Sequence, residues 1–151
     1  MDYDARKLEI RRAGKRELYS ITVLTRRFFP YTGFNMEKIY KRLRTRRIYY
    51  YAALYDGHTV GFLDFKENAK SIKILGLAVL EEFRGRGIGQ ALLDVALGFA
   101  RGKGKKSAFL LVAQQNDSAS RLYERNGFKS RGRLAKKIWG MDVLLLAKEF
   151  G

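Results

Sequence analysis

"LAVLEEFRGRGIGQALL", residues 77–93, passes from one apolar segment through Arg84, Gly85, Arg86 and Gly87 into another, and its reading decides the fold. The residues before it read as a strand. After it, Ile88, Ala91, Leu92, Val95, Ala96 and Phe99 recur at helical spacing. A strand, a glycine-rich turn and a helix in that order gather backbone N–H groups at the positive end of the helix dipole, which suits an anion. Gly85, Gly87 and Gly89 are expected to allow backbone conformations that side chains would block, and Arg84 and Arg86 to add charge-assisted hydrogen bonds. The loop reads as a phosphate cradle.

Spacing narrows the choice of phosphate. A Walker loop needs GxxxxGK followed by Ser or Thr, and neither this loop nor "GKGKKS" supplies it. The dinucleotide fingerprint GxGxxG fails because Gln90 stands where its third glycine belongs, and lysines occupy the region of the ribose-binding acid.

Working outward, Leu8–Ala13 reads as a strand, and Leu18, Ile21, Val23, Leu24 and Phe28 as one face of a helix ended by Pro30. Met36–Leu43 follows as a second short helix. Two aromatic-rich runs around Asp56 and Gly57 form a hairpin signal, and "SIKILGLAV" adds a third strand, giving a meander over about 48–79. The helix after the loop should stop in "RGKGKK"; "SAFLLVA" from Ser107 reads as a buried strand. "NDSASRLYERNGF" reads as a capped helix with a glycine end, followed by strands from Phe128 to about Leu134 and over "DVLLLAKEF". Nothing in the pattern divides the chain, so one domain over residues 1–151 is expected.

Composition limits the chemistry. Lys and Arg number 31 against 15 Asp and Glu, a formal charge of +16 that attracts phosphates, nucleic acid or acidic protein surfaces. No cysteine and a single histidine, His58, exclude disulfides, thiolate catalysis and Cys- or His-rich metal centres. No apolar stretch approaches the ~20 residues of a membrane span, and "MDYDARKLEI" has no apolar signal core. A soluble, cytoplasmic protein without membrane association is the expectation.

The quoted stretch resembles the acetyl-CoA signature of the GNAT superfamily of N-acetyltransferases, in which Arg or Gln, two residues, Gly, one residue and Gly or Ala follow one another; Arg84, Gly87 and Gly89 fit. A second signature of that family is similar to "NDSASRLYERNGF", matched in register by Asn116, Ala119, Leu122, Tyr123, Gly127 and Phe128. The resemblance implies an α/β fold with a mixed, mostly antiparallel sheet, a central splayed parallel strand pair and about four flanking helices. It implies acetyl-CoA as co-substrate and no metal. Leu77, Ala78 and Val79 would offer backbone bonds to the pantetheine arm. Arg84, Gly85, Arg86, Gly87, Ile88, Gly89 and Gln90 would hold the diphosphate, and Asn116 would anchor the cofactor from the other side. The amine attacks the thioester directly, and Tyr123 resembles the family's general acid.

The base departs from the family pattern. Lys73 and Leu111 occupy the two places where relatives carry Glu. Water, or a carboxylate such as Glu82 or Asp64 reached through the fold, is left for that role. The charge disfavours polycationic acceptors such as polyamines and aminoglycosides, and "FFPYTGF" faintly resembles the peptide-contacting loop of N-terminal acetyltransferases. A protein or peptide N-terminus therefore leads, ahead of lysine side chains and small amines. The second reading is a basic module associated with nucleic acid or ribosome on the same fold, with little or no catalysis. Read without the signatures, Tyr123 is a core aromatic, Asn116 a helix cap, His58 a solvated turn residue and Trp139 a packing or edge aromatic. "KRLRTRRIYYY" reads either as a nucleic-acid patch with aromatics or as a basic helix leading into a strand of packed tyrosines.

Overall fold

The computed structural model describes residues 2–151. In chain order it runs β1 (Leu8–Arg12), α1 (Leu18–Phe28), α2 (Met36–Leu43), β2 (Ile48–Tyr55), β3 (His58–Glu67), β4 (Ser71–Val79), α3 (Ile88–Gly102), β5 (Ser107–Ala113), α4 (Asp117–Arg125), β6 (Lys129–Arg133) and β7 (Val143–Glu149), with short 3₁₀ turns between. The strands form one sheet in the order β1-β2-β3-β4-β5-β7-β6. All neighbours are antiparallel except β4 and β5. This is the expected mixed sheet with four helices. No helix of the described residues is long and apolar enough to cross a membrane.

Local chemistry accounts for the elements. Asp56 and Gly57 both take positive φ, the backbone that a two-residue hairpin turn with the strands' own twist requires. Pro30 starts a 3₁₀ turn just past α1, and Asn35 caps α2 by accepting from the Lys38 N–H at 2.9 Å. The sheet divides two cores. Ile21, Leu24 and Ile39 of α1 and α2 pack on Tyr50, Phe62 and Ala78. On the other face Leu92, Leu93 and Ala96 of α3 pack on Leu63, Phe65, Ile72 and Ile74.

One irregularity organises the centre of the sheet. Asp64 pairs with Gly76 and Phe65 with Ile74, so Leu75 is an extra residue in β4, a bulge. Because side chains alternate, one inserted residue exchanges the faces. Ile72 and Ile74 belong to the α3 core, whereas beyond the bulge Ala78 belongs to the α1–α2 core. The parallel ladder to β5 runs from Ser71 opposite Ser107 to Ile74 opposite Leu110 and stops there. From Leu75 onward β4 leaves β5 and keeps only β3 as a partner. The expected splay is thus present, and the bulge marks its start.

Beyond the bulge, β3 and β4 lie unusually close. A Cβ on Gly61 would sit 2.7 Å from the carbonyl oxygen of Ala78 and 3.4 Å from Val79 Cα, backbone that cannot turn aside as a side chain could. Gly61→Ala is expected to lower stability by about 2 kcal/mol. Gly98→Ala, on α3 where a Cβ meets nothing within 4 Å, is expected to be neutral or to stabilise by up to ~1 kcal/mol. Urea unfolding of both variants checks this.

Candidate active site

The splay opens two cavities that share Ile74, Leu75, Gly76 and Leu111 as a common wall, with Phe29 and Tyr31 over it. One, of about 460 Å³, extends toward α4 and reaches Asn116, Ala119 and Tyr123. The other, of about 230 Å³, extends under α1 and α2 and reaches Phe34, Arg42, Tyr50 and Asp64. Residues that belong to different elements therefore face one another across the unpaired edge of β4.

On the α4 side, Tyr123 is 5% exposed and rests edge-on against Phe128 at 5.5 Å. Burial alone raises its phenol well above the ordinary value near 10, so it holds its proton throughout the physiological range. Asn116 caps α4, its side chain accepting from the Ala119 N–H at 3.2 Å. The glycine loop lies past the end of β4, outside both cavities. Gly85 and Gly87 both have positive φ, which only glycine takes easily, and Gly87 stands at the start of α3 without a side-chain cap. The Ala91 N–H is the first to bond back, to Gly87 O at 3.0 Å, which leaves Ile88, Gly89 and Gln90 as the free donors of the first turn.

On the α1–α2 side the centre is a buried charge. Asp64, 5% exposed, accepts from Arg42 Nη2 at 2.7 Å, and Arg42 also donates to the Tyr50 hydroxyl at 2.8 Å. Burial pushes the Asp64 carboxyl up to about 6, with Arg42 opposing that rise. Tyr31 is raised by burial and secondarily by the charge of Asp64. Gly76 makes room for the group, since a Cβ there would lie 2.7 Å from Asp64 Oδ1 and 3.3 Å from the Phe29 ring. Removing one partner of such a buried pair typically costs about 3–5 kcal/mol.

The model of the "Acetyltransferase (GNAT) family" matches residues 16–128. The chain belongs to that family. Among GNAT relatives, N-acetyltransferase family 8 member 2 of Rattus norvegicus is 32% identical over 78 residues, 49% of this chain and 34% of the rat protein. The chain spans only 34% to 42% of the length of the first such mammalian relatives. Two solved GNAT folds from Arabidopsis thaliana superpose closely. NAA60 with a bisubstrate analogue gives a TM-score of 0.83 at 23% identity, covering 95% of this chain and 99% of that one. Naa50 with the bisubstrate analogue CoA-Ac-MVNAL gives 0.80 at 21%, with the same coverage. At such identities the likeness shows the fold.

The structure brings together some of the residues read from the two GNAT signatures and separates others. Tyr123, Asn116 and Leu77 line the larger cavity. The Ala78 carbonyl is turned toward Gly61 of β3, so by alternation the edge facing the splay belongs to Leu77 and Val79. Val79 O accepts from Arg84 Nε at 3.2 Å. The guanidinium groups of Arg84 and Arg86 lie over the rings of Phe28 and Tyr3. Gly89 sits in ordinary helical backbone, and a Cβ there would touch Leu122 Cδ2 at 3.6 Å, an ordinary contact; its conformational freedom is not what the loop uses. Gln90 pairs reciprocally with Asn126, donating to Asn126 Oδ1 at 2.8 Å and accepting from Asn126 Nδ2 at 2.9 Å.

Lys73 faces the smaller cavity with its ammonium 6.0 Å from the Phe109 ring, and Leu111 lies in the shared wall. Glu82 is exposed on the 3₁₀ turn after β4 and lines neither cavity. Trp139, 68% exposed and with positive φ, lines the larger cavity rather than packing in the core. The Arg42–Asp64 pair was not legible as a pair, although alternation in "GFLDF" already put Asp64 on the face of Phe62.

Proposed function

We propose that this chain transfers the acetyl group of acetyl-CoA to a primary amine, foremost the α-amino group of a protein or peptide. One observation carries the reading: two cavities meet along the unpaired edge of β4, one walled by a protonated phenol and the other by a buried carboxylate. The residues fit a diphosphate and a pantetheine arm. Ile88, Gly89 and Gln90 hold out three free N–H groups at the start of α3, and Arg84 and Arg86, on the loop that leads into it, carry the charge to pair with an anion there. Leu77 and Val79 offer the backbone edge, and the Asn116 amide N–H₂ stays open for the far side.

Bound acetyl-CoA supplies an activated thioester. Tyr123 donates the proton that the leaving sulfur takes up. Of Glu82 and Asp64, the two carboxylates named beside water for the base, Asp64 is the one that lines a cavity, the smaller one, which we take for the acceptor. Asp64 accepts the ammonium proton directly or through one water. An α-amino group near pKa ~8 exceeds the carboxyl by about two units, roughly 3 kcal/mol. That is small beside a barrier of about 16 kcal/mol for a turnover of 10 per second. Wall residues Phe29, Tyr31 and Phe34 make the acceptor cavity apolar, which suits an uncharged first side chain. The net charge of +16 disfavours polyamines. The peptide portion of the Naa50 analogue supports the same acceptor class. Lysine side chains and small amines come next. A basic module without catalysis is the second reading, favoured by Lys73 and Leu111 and weakened by Asp64.

Release of CoA thiol, measured over peptides with varied first residues, polyamines and aminoglycosides, tests the acceptor; peptides with apolar first residues are expected to lead, and a polyamine in that place would overturn the assignment. Tyr123→Phe is expected to lower kcat at least about tenfold with cofactor affinity nearly intact, and unchanged turnover would remove the acid role. Asp64 accepts protons only when ionised, so kcat/KM is expected to fall as pH drops through about 6. Asp64→Asn should lower the rate and abolish that limb; an unaltered profile would return the role to water.

A further inference from the structure

The end of the sheet opposite the glycine loop is a continuous basic rim that neither cavity uses. Three turns are joined along it by backbone hydrogen bonds: the Glu67 N–H donates to Arg47 O at 2.7 Å, and the Lys106 N–H to Lys70 O at 2.7 Å. The α2–β2 turn contributes Arg44, Arg46 and Arg47. The β3–β4 and α3–β5 turns add Lys70, Lys103 and Lys106. All six are exposed, and none forms an ion pair among the described residues. The acids at this rim are committed: Glu67 to Lys105 at 2.9 Å and Tyr49 at 3.1 Å, and Glu149 to Arg131 at 3.9 Å.

Arg47 supplies an independent indication. Its φ is positive, left-handed backbone that glycine or asparagine would adopt more easily, so the turn keeps an arginine against its own conformational preference. Spanning β2, β3, β4, β5 and β7, the rim is roughly 19 Å wide at ~4.8 Å per strand. About five to six base steps of a duplex cover that width at ~3.4 Å each.

We infer that this rim docks the phosphate backbone of a nucleic-acid duplex, without reading its sequence. An acidic protein partner would need an apolar centre to the interface, and an anionic membrane an apolar face to insert. Neither is present at the rim among the described residues: the exposed large apolar residues are Tyr19, Val23, Tyr31, Met36, Leu111, Leu134 and Trp139, none of them in the three turns that form it. Single strands bind on exposed aromatic platforms, and the rim's rings are engaged already, Tyr49 with Phe65 at 5.2 Å and with Arg12 above it at 4.4 Å. No helix among the described residues projects from the rim to enter a groove, so contact stays with phosphates. This docking is independent of the acetyl-transfer reading.

Fluorescence anisotropy with labelled 20-bp RNA and DNA duplexes, over a series of salt concentrations, tests it. With roughly five phosphates neutralised, log K should fall with log salt at a slope of about −4.5. The combined Arg44→Ser, Arg46→Ser, Lys103→Ser and Lys106→Ser variant is expected to bind at least about tenfold more weakly with a slope shallower by about 3, while its CoA-release rate is unchanged. A control losing the same charge elsewhere, Lys15→Ser, Arg16→Ser, Lys136→Ser and Lys137→Ser, should change affinity less than about threefold. Arg46→Ser and Lys106→Ser measured singly guard against a fold defect in the combined variant. Equal weakening in the two quadruple variants, absence of saturable duplex binding, or tighter binding of a single strand, an acidic peptide or phosphatidylserine vesicles would overturn the inference.

Discussion

A single surplus residue in β4 governs the rest of this molecule. Leu75 has no counterpart in β3, and the backbone there can satisfy β3 or β5 but not both. Up to Ile74 the strand has two neighbours, and after it only one. An unpaired strand edge inside a fold is normally a liability, because N–H and C=O groups without partners are costly to bury. Here the edge lies in a cleft, where a ligand can complete it. The same surplus residue exchanges the faces of the strand, so that Gly76 turns toward Asp64 while Leu77 turns toward the larger cavity. Opening the sheet and distributing the two chemical sides of the site are one event.

The buried Arg42–Asp64 pair is the other constraint. It ties α2 to the middle of β3 at 2.7 Å, and it is sustained because each charge keeps a partner. Gly76 and Phe29 close over it from β4 and the end of α1. A carboxyl held here is both a structural anchor and, by its raised pKa of about 6, a group that changes charge near neutrality. The two roles are compatible, since the arginine remains charged in either state and still has Tyr50 to bond.

Much of this was legible in the sequence. The hairpin at Asp56 and Gly57, the break at Pro30 and the cap at Asn116 follow from short-range chemistry, and the structure has them where the sequence placed them. The motif around Tyr123 lines the cleft, whereas the one around Arg84 lies past the end of β4, beside it. What the sequence could not deliver depends on distance in the chain. Arg42 and Asp64 lie 22 residues apart, and nothing local in either segment names the other. The bulge was hidden as well, because "SIKILGLAV" alternates smoothly enough to look like an uninterrupted strand. Gly89 was assigned a conformational role that its helical backbone does not require, and of the two readings of Trp139, packing or edge aromatic, its exposed place at the border of the cleft fits the second.

The paired carboxamides of Gln90 and Asn126 have a consequence beyond their two hydrogen bonds. They fasten the first turn of α3, beside the glycine loop, to the residue that ends α4, three positions after Tyr123. A bond between two neutral amides has no proton to lose near neutrality and no net charge for dissolved ions to screen. The alignment of the anion-binding turn with the phenol is therefore insulated from acidity and ionic strength, on a protein whose surface is otherwise governed by both.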